Sequence, residues 1–76
     1  MRQMGKKVVV KLHSLLSKMD ISMRELSRRS GVRLAALIEL ANHQRQNINF
    51  KHIEQIAEAL GIDDIREIVE ITNIDE

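Results

Sequence analysis

Four arginines, Arg24, Arg28, Arg29 and Arg33, fall within ten residues of one another, and a polar stretch containing Gln44, Arg45, Gln46 and Asn47 follows shortly after. The chemistry such groups can do is anion binding: a guanidinium offers a planar fork of N–H donors that fits phosphate oxygens, and the amides add neutral donors. The competing reading is a solvated basic face with no partner. Other groups suggest less. Acids at positions 54, 58, 63, 64, 67 and 70 come without a nucleophile, a glycine-rich cradle or convergent pocket residues, so they read as a solvated face and no enzyme is expected. His13, His43 and His52 lie on different segments without paired ligand spacing, so neither a metal nor any other cofactor is expected.

Charge along the chain supports a polyanion as the partner of those arginines. Residues 1 to 46 hold ten Lys/Arg against three Asp/Glu, a balance of +7, whereas residues 47 to 76 hold two against eight, a balance of −6. A chain that meets a polyanion on one side only shows such an asymmetry, although a dipolar surface without a partner would show it too. At 76 residues there is room for one small core. There is no cysteine for a disulfide or thiolate site, and the apolar run in "MRQMGKKVVVKL" is too short for a signal peptide or a spanning helix. A cytoplasmic protein with no membrane contact is expected.

The elements that must position the arginines are short helices. Apolar residues are almost all aliphatic, Phe50 is the only aromatic and there is no proline, a mixture suited to packed helices. Leu12, Leu15, Leu16 and Met19 recur at i, i+3, i+4 and i+7, which predicts a helix over roughly 11 to 19. Ser22 opens "SMRE", a capping box with Glu25 reaching back, and starts a second helix over about 23 to 30 that Gly31 ends. Val32 then plugs the turn before a third helix over about 34 to 41. Asn49 caps a fourth helix that carries Ile53, Ile56, Ala57 and Leu60 on one side and closes at Gly61. Asp63 or Asp64 is positioned to cap a fifth, with Ile65, Ile68 and Val69 inward. "VVV" at 8 to 10 and "EITNI" at 70 to 74 are β-branched and too short for helices, and read as two brief strands pairing across the termini. The fold expected is all-α, with five short helices and that terminal pair. One domain spans residues 8 to 70, flanked by terminal segments 1 to 7 and 71 to 76.

The segments "SMRELSRRSGV" and "NINFKHIEQIAEALGIDDIREIVE" resemble the lambda-repressor and Cro-like, or XRE-type, helix-turn-helix family of bacterial and phage regulators, and the likeness covers about residues 8 to 70. It implies that the second helix braces the DNA backbone while the third lies in the major groove. Leu26, Val32, Leu37, Leu40, Ile53, Ile56 and Leu60 then fall on buried positions, and Ser27 takes the small-residue place beside the turn. The implied phosphate-binding set is Met23, Arg24, Arg28, Arg29, Gln44, Arg45 and Asn47. The implied base-facing set is Arg33, Leu34, Ala35, Ile38, Glu39 and Asn42.

The chain departs from the family pattern where bases would be read. Met23 stands in place of a frequent phosphate-touching glutamine, Arg33 in place of a Ser/Thr cap, and His43 where glycine usually follows. At 100° per residue Leu34, Ile38 and Asn42 form one outward ridge, flanked by Ala35 and Glu39, while Ala36, Leu37 and Leu40 point inward. Phosphate contacts fix register and supply nonspecific affinity; base contacts discriminate at roughly 1–3 kcal/mol per bidentate pair. The reading is therefore a DNA-binding transcriptional regulator with blunted direct readout, acting on an operator as a homodimer, since one short helix reads few base pairs. The alternative is a protein-interaction module that binds a partner protein through the Leu34 and Ile38 ridge, or a rotated third helix that buries them. No small-molecule ligand is expected.

Overall fold

The computed structural model describes residues 4–42 and 47–75. In chain order these form strand β1 (Met4–Val10), helices α1 (Leu12–Met19), α2 (Met23–Ser30), α3 (Leu34–Ala41) and α4 (Phe50–Leu60), one 3-10 turn (Ile65–Glu67) and strand β2 (Val69–Asp75). The four helices fall close to where periodicity and caps put them. Leu12, Leu15 and Leu16 of α1, Leu26 of α2, Val32 of the turn, Leu37 and Ala41 of α3, Ile56 of α4 and Ile68 form one buried cluster, with Leu40, Ile53 and Leu60 packed partly buried against it. Met19, the fourth residue of the α1 stripe, stays exposed. The helix stops there because Asp20 takes a left-handed conformation (φ 58°), and the Ile21 amide reaches back to the Leu16 carbonyl at 2.9 Å.

The same stop is made with glycine at α4, where Gly61 has φ 68° and the Ile62 amide donates to Ala57 at 2.9 Å. Starts are set by side chains: Ser22 Oγ accepts from the Glu25 amide at 3.0 Å, and Asn49 Oδ1 accepts from the Lys51 amide at 2.8 Å. Neither Lys11 nor Arg33 caps its helix with a side chain.

The expected fifth helix is not formed, and the fold is mostly helical rather than all-α. Asp64 caps as anticipated, accepting from the Arg66 amide at 2.9 Å, yet the helix lasts a single 3-10 turn. From Val69 onward the β-branched residues Val69, Ile71, Thr72 and Ile74 have a cross-strand partner in β1, and extension wins. Ile68 is wholly buried as expected, Val69 turns into the strand, and Ile65, expected inward, is exposed.

The two strands pair antiparallel over seven residues each, with Val10 opposite Val69, Val8 opposite Ile71, Lys6 opposite Asn73 and Met4 opposite Asp75. They are longer than the β-branched runs suggested, because Gly5, Lys6 and Lys7 join the ladder; Lys6 Nζ donates to Asn73 Oδ1 at 2.7 Å. Only the base of this ribbon packs on the helices. Val10 and Val69 rest against the core and the Lys11 amide donates to the Ile68 carbonyl at 2.7 Å, while Val8, Ile71 and Ile74 are exposed. Seven strand residues span roughly 24 Å, and the described molecule measures 48 × 21 × 19 Å. The ribbon projects from a compact helical body.

Candidate nucleic-acid interface

The α2–turn–α3 unit is held by polar contacts at its hinge. Gly31 takes φ 78° and its amide donates to Ser27 at 2.9 Å, so a side chain here would be strained. Ser27 Oγ donates to the Val32 carbonyl at 2.6 Å, which explains a hydroxyl at a position suited to a small side chain. Ser30 Oγ accepts from the Val32 amide at 3.1 Å, and Gln55 of α4 donates to the Ser30 carbonyl at 3.1 Å. A Cβ at Gly31 would come within 3.5 Å of the Gln55 amide nitrogen. The fourth helix thereby fixes the angle between the other two. Gln55 is absent from the sequence-based site because an amide on a helix side carries no signal of what it will reach.

On α2, Arg24, Arg28 and Arg29 are all exposed. Arg28 and Arg29 are not idle: Arg28 Nε donates to Glu25 Oε1 at 3.2 Å, and Arg29 Nε to Glu25 Oε2 at 2.7 Å. Glu25 thus completes only half of the expected capping box, since its carboxylate faces the arginines. The Arg29 hydrogen bond, then that of Arg28, holds the Glu25 carboxyl below its ordinary value. Both arginines keep exposed surface, and an i,i+3 or i,i+4 pair in water is weak enough to open for a phosphate. Met23 is half-buried and packs on the core, so it offers no side-chain donor; what its position presents is the amide end of α2.

On α3 the expected facing holds for most residues. Leu37 is buried, Ala36 and Leu40 are partly buried, Ala35 is exposed and Ile38 is 40% exposed. Leu34 and Glu39 are half-buried at the edges of that ridge. Arg33 is exposed at the start of α3 and lines an open cleft with Asn47, Asn49 and His52. Asn47 is exposed, whereas Gln44 and Arg45, together with His43, lie outside the described residues. Asn42, the polar end of the ridge, pairs with α1 through its Oδ1 and His13 Nε2 at 3.0 Å. That contact escaped the sequence reading because the two residues are 29 apart. Phe50, at the start of α4, is 79% exposed, the largest exposure among the described large apolar residues. Among the described residues no cluster of three His, Cys, Asp or Glu could hold a metal, and no helix is long and apolar enough to cross a membrane.

A braced first helix, a glycine turn fixed from behind and a second helix with its outer ridge exposed make a helix-turn-helix, and the model of the Cro/C1-type HTH DNA-binding domain family matches residues 11–73. The chain belongs to that family. No curated protein and no solved structure matches it significantly. As a Cro/C1-type domain its partner is DNA, and the matched span runs from the residue before α1 into β2, taking in every helix. The basic side of this domain is narrower than the halves of the sequence suggested. Pairing of the termini sets Lys6 and Lys7 opposite the uncharged Asn73 and Thr72, and Lys11 Nζ lies 3.3 Å from Glu70, so Lys11 is matched by a C-terminal acid. Arg24, Arg28, Arg29 and Arg33 are left as the concentrated positive surface among the described residues.

Proposed function

We propose that this Cro/C1-type domain is a transcriptional regulator, of the bacterial and phage kind, that occupies an operator as a homodimer. The α3 helix lies in the major groove and α2 lies across the phosphate backbone. The observation that carries this reading is the exposed α3 ridge flanked by the four arginines of α2 and the turn. Arg24, Arg28 and Arg29 contact phosphates from α2, helped by the amide ends of α2 and α3, and Arg33 stands where the backbone meets the groove. Ala35 and Ile38 supply apolar contact to thymine methyl groups, and the half-buried Glu39 stands at the edge of the ridge. Direct readout of this kind is weak. Selectivity then depends on two half-sites read together and on how readily the intervening duplex deforms. No catalytic chemistry is assigned to the chain, and its place of action is the cytoplasm.

The test is duplex binding over a range of salt concentrations, for the parent and for Arg28→Ala. Affinity should fall linearly in log–log form with a slope of about −0.9 per phosphate neutralised, and the substitution should weaken selected and random DNA alike. A flat salt dependence would contradict the proposal. A second reading rests on Ile38, whose exposure beside Leu34 would also suit a protein partner.

A further inference from the structure

The hydrogen bond between His13 and Asn42 joins α1 to the end of the α3 ridge, and the operator-binding reading leaves it without a role. Both residues are exposed, yet each stands on a fixed backbone: His13 follows the wholly buried Leu12, and Asn42 follows the buried Ala41. Asn42 also keeps helical register, since its backbone amide donates to the Ile38 carbonyl at 3.0 Å, so it continues the row of Leu34 and Ile38. Of those three side chains only Asn42 can form hydrogen bonds. A contact between exposed side chains adds little to stability, so the pair matters more for the orientation of the amide than for the fold.

A carboxamide has an accepting end and a donating end on the two sides of one planar group. Here Oδ1 accepts from His13 Nε2 at 3.0 Å, which requires that Nε2 carry a proton. With Oδ1 turned to α1, the two Nδ2 hydrogens are turned away from it. The reverse arrangement, Nδ2 donating to an unprotonated Nε2, would turn the carbonyl oxygen outward instead. Beside DNA the two are not equivalent, because an outward oxygen would face the negative charge of the phosphates whereas outward N–H groups meet it favourably. A polyanion therefore favours the arrangement in which the histidine donates.

We propose that His13 is a positioning residue for DNA recognition: by holding Asn42 Oδ1 it makes Asn42 a donor-only group that binds a hydrogen-bond acceptor of the duplex. This rests on the operator-binding reading and deepens it at the end of α3. A free asparagine reads adenine with both ends of its amide, the oxygen accepting from N6 while the nitrogen donates to N7. With its oxygen engaged by α1, Asn42 lacks the accepting half of that pair. It selects acceptors alone, either on a base edge or on a phosphate. On a base edge, guanine then suits it better than adenine, since N7 and O6 are both acceptors and no amino group stands beside them. Discrimination at the end of α3 is thereby set from α1, by a residue that acts through Asn42.

A double-mutant cycle on the full chain tests this, with binding to a duplex selected from a random pool read by fluorescence anisotropy. His13→Ala and Asn42→Ala change exposed side chains and should keep the parent's fold and melting by circular dichroism. Each should weaken binding about two- to tenfold, the worth of one hydrogen bond, and the double variant should bind no worse than Asn42→Ala alone. His13→Met, which keeps the reach without a donor, should match His13→Ala. Exchanging base pairs one at a time, and phosphates for neutral methylphosphonates, locates the acceptor: one change should weaken the parent and leave Asn42→Ala unaffected. If that change is guanine to adenine, His13→Ala should discriminate less than the parent, because its freed oxygen can accept from adenine N6. Losses that add in the double variant would mean that His13 touches DNA by itself, and full affinity without His13 would mean that Asn42 needs no positioning. Either result overturns the proposal, as does a set of exchanges none of which separates the parent from Asn42→Ala. In each of these cases steep salt dependence in the parent leaves the operator reading standing, whereas a parent that binds no duplex overturns both.

Discussion

The helix-turn-helix body and the terminal ribbon solve the problem of burial in opposite ways. In the body, Leu12, Leu26, Leu37 and Ile56 are completely buried, and the turn is pinned by Ser27, Ser30 and Gln55. In the ribbon Val8 and Ile71 face each other as the most exposed cross-strand aliphatic pair, on strands whose register extends to Met4 and Asp75. The contrast separates two roles for apolar residues. Those in the body fix the angle at which α3 is displayed; those on the ribbon are left over by a single copy of the fold. Ile38 belongs with neither group, being apolar and exposed on the helix proposed to face DNA.

The largest effect should come from the body. Leu37→Ala removes a wholly buried side chain at the centre of the cluster and should cost about 2–5 kcal/mol in denaturant unfolding, whereas Val8→Thr on the ribbon should change stability by less than about 0.5 kcal/mol. Similar losses at the two sites would mean that the ribbon is part of the folding core and that the contrast is misdrawn.

How much of this was legible in the sequence follows the same division. The four helices, their caps at Ser22 and Asn49 and their stops at Gly31 and Gly61 are local chemistry, and the structure shows them close to where that chemistry puts them. The stretch after Asp64 went differently, because Ile65, Ile68 and Val69 suit a helix face by spacing and a strand by β-branching, and the choice depends on a partner strand some 60 residues away. Separations of 29 and 25 residues likewise hide the His13–Asn42 pair and the contact of Gln55 with Ser30. The arginines of α2 were legible as a basic group, but not the carboxylate they share, since Glu25 suited the capping box equally well.

A smaller effect is expected where α2 competes with DNA for its own arginines. Glu25→Gln removes the carboxylate that engages Arg28 and Arg29 and should strengthen duplex binding severalfold while leaving the Ser22 cap, which uses the residue's backbone amide. The sign with pH is fixed by the direction of the shift. A carboxyl whose folded value is depressed contributes its pairing above the ordinary carboxylate range and loses it only as pH falls through the depressed value. The difference between parent and variant should therefore stay constant through neutral pH and shrink only in acid. Unchanged or weaker DNA binding by the variant, measured by fluorescence anisotropy, would show that the arginines bind phosphate without leaving Glu25, or do not bind it.

The claim that α3 reads the major groove is tested most directly by measuring stability and DNA binding together for Ile38→Glu and Ile38→Gln. Ile38 is 40% exposed at the middle of the ridge, so both variants should stay within about 1 kcal/mol of the parent. A carboxylate there enters a groove walled by phosphates and should abolish binding to selected DNA, while the amide, able to pair with a base edge, should keep it. Folded variants that both bind with the parent's affinity would contradict groove reading and move the ridge to a protein partner.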